Sequence, residues 1–312
     1  RDAGVRTWPL GRGSNVLVSD QGLRGVVVTL GGELAEMKMQ GVLGSKGSGV
    51  QVPSQNPRTP EPANPVLVCG AGATLDAVAV FAEEQGLEGA EFLAGIPGTV
   101  GGGLHSNAGA FGRSLGDIVA SVTVFDREGN ESILASGQIR REYRRPMIDD
   151  GLIAIDVVMQ LEAKGRTSVP DSRFPTPAEV RKQRWAKHPA EPSAGSFFRN
   201  PEKDGERIPA GKLIEQCGLK GRTIGGARVS EKHANFLVNT GKARFADVYE
   251  LVQIVKATVE EQTGILLEEE VQYLPGPGEV RGRGSRVRGF EDSGPIPGPR
   301  NPSTREPLPQ RR

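Results

Sequence analysis

Cysteine, histidine and aromatic side chains are all scarce in this chain: its 312 residues include 2 Cys, 3 His, 2 Trp and 3 Tyr. Cys69 and Cys217 stand far apart, with no CxxC or Cys/His spacing around either, which argues against a disulfide framework and against a structural zinc site. No metal is expected, and a reducing compartment fits best. There is no run of about 18 apolar residues and no charged segment leading into an apolar stretch at the start, so neither a membrane span nor a secretory signal is read. A cytoplasmic protein is expected. Charge of one sign is lacking too. The 39 Lys and Arg against 38 Asp and Glu leave a formal net charge of +1, so nothing global points to nucleic acid or a membrane surface. None of the three histidines lies in a triad-like context, which leaves a Ser-His-Asp hydrolase without support beyond the count itself.

Glycine and proline are what the chain has in quantity, 43 and 23 residues, and the length allows two domains of ordinary size. Residues 26–30, 65–69, 119–125 and 152–161 are β-branched runs between turns and predict strands. A helix is predicted from an N-cap at Thr74 to a stop at Gly86, with Leu75, Val78, Ala79 and Ala82 on one face. Residues 35–64 have no apolar period and are read as a flexible surface insertion. In the second half, 165–175 is polar and turn-rich, and Pro177 opens a short helix through Arg184. Val248, Leu251, Val252, Val255 and Val259 recur at steps of three and four, predicting a helix over 245–262. The mixture predicts an α+β fold with domains at 1–165 and 173–275, and a disordered Pro/Gly/Arg-rich tail at 276–312.

Three glycine-rich segments stand out: Gly11-Arg12-Gly13-Ser14-Asn15, Gly70-Ala71-Gly72, and the run from Ala94 to Gly103. None is followed by a P-loop Lys-Ser/Thr, and the first is too short for a dinucleotide fingerprint, so a Rossmann reading is weak. Such runs do supply consecutive main-chain N–H groups that a pyrophosphate can approach without Cβ hindrance. Any one of them is equally an ordinary turn. Three together, with Ser14, Asn15, Thr99, Ser106 and Asn107 adding polar side chains, point to a diphosphate-bearing cofactor. Further on, Ala194-Gly195-Ser196-Phe197-Phe198-Arg199-Asn200-Pro201 is not a GxSxG elbow and reads equally well as a turn between core strands. Glu268-Glu269-Glu270 is read as closing a helix and opening a strand, where alternation would aim one carboxylate inward.

These segments resemble UDP-N-acetylenolpyruvoylglucosamine reductases, the MurB family, over about residues 8–275. The likeness rests on the Gly11 segment, the stretch 95–112, the Tyr143-Arg144 pair, the Ala194 segment, and the stretches 210–215 and 229–236, all in the family's order. Each motif is moderate alone; the ordered set is specific. With no extra tyrosine-bearing loop before His233 the chain looks like the shorter subtype, and it reads as shortened at its N-terminus.

The resemblance implies an FAD-binding domain of the vanillyl-alcohol-oxidase type, a smaller α+β substrate domain, NADPH as hydride donor and UDP-N-acetylglucosamine-enolpyruvate as substrate, in peptidoglycan synthesis. A monomer is the default. Gly11, Gly13, Ser14 and Asn15 would hold the flavin together with Gly72. The long glycine run would contribute Gly95, Gly98, Thr99, Gly101 and Gly102, followed by Asn107, Ala108 and Gly109. Arg144 and Glu270 would stabilise an enolate, and Ser196 would deliver a proton to the neighbouring carbon. Tyr143, Arg184, Lys187 and Asn200 would bind substrate, the two cations converging on one diphosphate because they lie three apart on a helix. Lys212, Glu215, His233 and Asn235 fall in matched stretches with no task implied. His105 and Pro146 depart from the family's usual pattern, and Pro146 is expected to reshape the loop that aims Arg144. Two other readings stay open: an FAD-dependent sugar or alcohol oxidase of the same superfamily, and an inactive UDP-sugar-binding protein.

Overall fold

Short β-branched runs become strands where a partner chain can cover one face. In the computed structural model, which describes residues 4–40, 65–164 and 175–276, the first half contains β1 (Thr7–Pro9), β2 (Val16–Val18), β3 (Val26–Val28), β4 (Met37–Gln40) and β5 (Val66–Gly70). Helices α1 (Leu75–Glu84) and α2 (Val100–Leu104) follow, then β6 (Val119–Phe125), β7 (Glu131–Ala135) and β8 (Ile153–Gln160). Five of these strands form one antiparallel sheet in the order β7-β6-β8-β5-β4. Every residue of β5 is buried, as expected for a central strand with both faces covered. Helix α1 turns Leu75, Val78, Ala79 and Ala82 into that core. Its first turn is capped by Thr74, whose hydroxyl accepts from the Ala77 N–H at 3.2 Å.

One expectation is corrected here. The stretch 35–64 does not begin as an irregular insertion, because Met37–Gln40 pairs with β5, Met37 opposite Cys69 and Met39 opposite Leu67. Four residues of alternation are too few to register as a period, and the edge position was set by β5. Residues 41–64 lie outside the described residues.

In the second half α3 (Pro177–Lys187) starts with a reciprocal Thr176/Glu179 capping box and Pro177 in the first turn. Then come β9 (Ser193–Ser196), α4 (Ala210–Gln216), β10 (Thr223–Ile224), β11 (Ala227–Val229), β12 (Phe236–Asn239), α5 (Phe245–Thr263) and β13 (Gln272–Leu274). The sheet order is β9-β12-β11-β10, antiparallel throughout. Leu251, Val252, Val255 and Val259 of α5 are fully buried against Phe197, Phe198 and Leu213. Helix α5 stops at Thr263, so the acidic triplet does not close a helix. Its backbone instead lies extended beside residues 197–199, the Glu270 N–H donating to the Phe197 carbonyl at 2.8 Å and the Arg199 N–H to the Glu268 carbonyl at 2.9 Å.

The architecture is α+β, with two apolar clusters. Strand β2, near the start of the chain, pairs in parallel with β13 and carries Leu17 into the second cluster beside Tyr273. The loop 11–15 is therefore held between the two clusters. The described residues up to Pro275 cluster as one compact unit. The boundary expected at 165–173 and nearly all of the tail lie outside the described residues.

Candidate active site

The loop 11–15, the loop 95–99, residues His105, Ser106, Ala108 and Gly109, the Tyr143-Arg144 pair, β9 and Glu270 together line a cleft of about 710 Å³. That lies within the roughly 300–1,000 Å³ usual for cofactor and small-molecule sites. An adjoining cavity of about 330 Å³ shares Gly11, Thr99, Gly102 and His105 and adds Gly72 and Gly101 to its wall.

The three glycine segments do different work there. No partner among the described residues takes the N–H groups of Gly11, Arg12, Gly13, Ser14, Asn15 or Gly98. All six residues line the cleft, where consecutive main-chain donors of this kind can accommodate an anion. By contrast Gly72 donates to the Leu34 carbonyl at 2.7 Å, Gly101 to the Ala71 carbonyl at 2.8 Å, and Gly95 to Asp76 Oδ1 at 2.7 Å. The Gly102 N–H is taken by Thr99 Oγ1 at 3.1 Å, the cap of α2. The expectation that all three runs offer free donors is thus corrected, since the N–H groups of the second run and most of the third are taken within the protein. Gly11 has a steric reason to be glycine: a Cβ there would sit 2.7 Å from Thr99 Oγ1. The Ser14 hydroxyl donates to the Pro97 carbonyl and Asn15 Nδ2 to the Glu270 carbonyl at 3.2 Å, so both side chains tie the nest to its neighbours.

Asn107 is placed differently from expectation. Its side chain is turned into the protein, Nδ2 donating to the carbonyls of Arg141 at 3.3 Å and Glu142 at 3.1 Å while Oδ1 accepts from the Gly116 N–H at 2.9 Å. It does not line the cleft; Ala108 and Gly109 beside it do. The amide holds the chain leading into Tyr143-Arg144, whose course is also fixed by the Met147 N–H on the Leu104 carbonyl at 2.9 Å. Arg144 has φ of 52°, a left-handed backbone that a non-glycine residue keeps only when its surroundings over-determine it. They do so: Nη1 donates to the Asn107 carbonyl at 2.9 Å, Nη2 to Gly109 at 2.6 Å, and Nε lies 3.3 Å from Glu270 Oε1.

Burial raises the Glu270 pKa, opposed by the cations of Arg144 and then Arg199, so its carboxyl stays protonated to higher pH than usual. Ser196 faces the same cleft. It follows Gly195, whose φ of 80° turns the strand at that point, and its own carbonyl side is pinned by Asn235. The Phe197 N–H donates to the Asn235 carbonyl at 2.7 Å, the Phe198 N–H to Asn235 Oδ1 at 2.9 Å, and Asn235 Nδ2 returns to the Phe198 carbonyl at 2.8 Å. Sequence gave Asn235 no task; its amide is the clamp that locks the serine-bearing segment. Arg144, Glu270 and Ser196 thus share one cleft.

Tyr143, Arg184 and Asn200 also line it. Arg184 donates to the Ala94 and Phe92 carbonyls at 3.1 and 3.2 Å, and burial first, then the Arg144 cation, brings its pKa down to about 10. It remains charged at neutrality. Lys187 is exposed and does not line the cleft. Arg184 reaches over the 92–95 loop, and Lys187 lies at the end of α3, three residues on. Asn200 Oδ1 accepts from the Ala210 N–H at 2.9 Å.

Burial lowers the pKa of His105, His188 and His233 alike, and at His188 the neighbouring Arg184, His233, Lys232 and Lys187 bring it to about 4 from 6.5. An unfolded chain binds protons there that the folded chain refuses, so stability is fully present above about pH 6.5 and lost as pH falls toward about 4. Glu270, raised, acts with the opposite sign, present below 4.5 and fading as pH rises. Glu91, likewise raised by burial, acts with Glu270, whereas Asp76, Asp126 and Asp247, all lowered, act in the same direction as the three histidines and set the net direction. The urea midpoint is expected to fall from pH 7 to pH 4.5, and His188→Gln to flatten that slope; a midpoint rising on acidification would refute this.

Residues 187–274 match the family described as UDP-N-acetylenolpyruvoylglucosamine reductase, C-terminal domain, and residues 1–134 match the FAD binding domain family. A UDP-N-acetylenolpyruvoylglucosamine reductase of Agathobacter rectalis is 37% identical over 267 residues, covering 85% of this chain and 79% of the relative. UDP-N-acetylenolpyruvoylglucosamine reductase 2 of Symbiobacterium thermophilum is 40% identical over 277 residues, covering 87% and 80%. Among solved structures, UDP-N-acetylenolpyruvylglucosamine reductase (MurB) from Thermus caldophilus superposes with a TM-score of 0.66 at 32% identity, covering 87% of this chain and 86% of that one. Among the described residues no helix is long and apolar enough to cross a membrane, and no cluster of metal-ligating side chains occurs. The chain belongs to the UDP-N-acetylenolpyruvoylglucosamine reductase family.

Proposed function

We propose that this protein reduces the enolpyruvyl group of UDP-N-acetylglucosamine-enolpyruvate to the lactyl ether, using FAD and NADPH, in cytoplasmic peptidoglycan precursor synthesis. The observation that carries the proposal is one cleft lined both by Arg144, Glu270 and Ser196 and by residues whose main-chain N–H groups have no partner among the described residues. The FAD fits the residues present: the diphosphate falls to the Gly11–Asn15 and Gly98 N–H groups, and the close approach of Gly11 to Thr99 leaves no room for a Cβ that would crowd it. Bound FAD supplies the hydride, taken from NADPH, to the terminal carbon of the enolpyruvyl group.

The protein then manages charge. Negative charge develops on the substrate carboxylate and the carbon that bears it. Arg144, oriented by two carbonyls, and Glu270, whose carboxyl burial biases toward the protonated form, stabilise it. Ser196 gives its proton to that carbon and completes the reduction. Tyr143, Arg184 and Asn200 line the remainder of the cleft and position the nucleotide sugar. The lobes of the cleft correspond to an FAD domain over 1–165 and a substrate domain over 173–275, acting as a monomer.

An anaerobic spectrum of the purified protein tests this. NADPH should bleach the flavin bands and the enolpyruvyl substrate should restore them. Reoxidation by oxygen alone, with no response to the substrate, would favour the oxidase reading, and a colourless preparation that still binds the nucleotide sugar would favour an inactive binder.

A further inference from the structure

Between Asn200 and Ala210 the sequence reads Pro201-Glu202-Lys203-Asp204-Gly205-Glu206-Arg207-Ile208-Pro209. Glu202 pairs with Arg207 and Lys203 with Glu206, leaving Asp204-Gly205 as a two-residue turn. Both have positive φ, 55° and 79°, the requirement of the hairpin turn that Asp-Gly favours. The base of this hairpin is fixed. The Ile208 N–H donates to the Pro201 carbonyl at 2.8 Å, Asn200 Oδ1 takes the Ala210 N–H, and Ile208 packs on the second core. A short ladder on a fixed base holds its last side chain in a defined place.

That side chain is Arg207, whose guanidinium carbon stands 3.9 Å from the centre of the Tyr143 ring. Tyr143 lies in the other half of the site, in the loop held by Asn107, and lines the cleft. The Arg144 guanidinium is also within range of the ring, at 5.1 Å, so two cations lie beside Tyr143, Arg207 the nearer. Among the described residues no carboxylate is paired with Arg207. Nothing in the family motifs singles it out, because the hairpin lies between two of them.

We propose that Arg207 is a positioning residue for the substrate: carried by the 202–207 hairpin, it fixes the Tyr143 ring across the cleft and so sets the wall against which the nucleotide sugar is bound. This rests on the proposed function. A guanidinium 3.9 Å from the ring centre restricts the rotamers open to the Tyr143 side chain. Without it the ring gains rotameric freedom that binding must remove. A cation–π contact at an exposed site is worth about 0.5–1 kcal/mol, or about two- to fivefold in binding.

Two measurements test the proposal. With ring-labelled tyrosine only three residues report, Tyr143, Tyr249 and Tyr273, and Tyr143→Phe assigns the first. Arg207→Ala should shift the Tyr143 ring resonances and leave the other two in place. In steady state the same variant should raise KM for the enolpyruvyl sugar about two- to fivefold with kcat retained, Arg207→Lys should recover most of the loss, and Arg207→Ala should add nothing in a Tyr143→Leu background. An unmoved Tyr143 resonance overturns the contact. An unchanged KM, or an equal loss in the Tyr143→Leu background, overturns its consequence. Failure of the wild-type protein to turn over the enolpyruvyl sugar is a separate result, which refutes the proposed function while the ring resonances still decide the contact.

Discussion

Ser196→Ala is expected to leave reduction by NADPH near its wild-type rate and to slow reoxidation by the enolpyruvyl substrate by about 10²–10⁴-fold, the range of a lost general acid. The separation of the two half-reactions follows from what holds the residue. Its strand is fixed by main-chain contacts that the substitution does not touch: the Phe197 N–H on Asn235, the Glu270 N–H on the Phe197 carbonyl, and the pairing of Ser196 with Phe236. Only the hydroxyl is removed. A serine is a weak acid in water, so its contribution depends on placement beside the carbon where charge develops. Stopped-flow absorbance resolves the two steps. Equal slowing of both would mean that the serine supports the fold or the flavin and not the proton transfer.

Arg144→Lys is expected to lower kcat/KM by about 10²–10³-fold, comparable to the loss of one preorganised donor at a developing oxyanion, while the flavin is retained. Conservation of charge does not rescue this position. Three nitrogens of one plane reach the Asn107 carbonyl, the Gly109 carbonyl and Glu270 at 2.9, 2.6 and 3.3 Å, and an ammonium cannot span that fork. The carbonyls left without donors cost about 1–3 kcal/mol each in a buried site, so a lower denaturation midpoint should accompany the kinetic loss. A variant with wild-type kcat/KM would remove Arg144 from the chemistry.

Local pattern was enough for the long elements. The apolar steps of α5, the Thr74 cap of α1 and the β-branched run of β6 are statements about neighbours in sequence, and the chain keeps them because each buries one face. The segments proposed to carry the chemistry were legible as well, since glycine turns and the Ser196 and Arg144 segments are contiguous words. What those words do was settled elsewhere. Whether a glycine N–H is free depends on which distant carbonyl has already taken it: Leu34 takes Gly72 and Ala71 takes Gly101, while the 11–15 loop is left open. Asn107 and Lys187 leave the cleft for the same kind of reason, one amide being claimed by a neighbouring loop and one helix turn running past the wall.

By itself the sequence determined the element types, the α+β class, the ordered motifs and the chemical character of the cleft, because propensity, capping and periodicity act over a few residues. Only the tertiary structure decided that β2 crosses to β13, that Asn235 clamps Ser196, and that Arg207 covers Tyr143. Those contacts join residues far apart in the chain. Their geometry follows from satisfying buried donors and packing two cores together, and no local window contains that information.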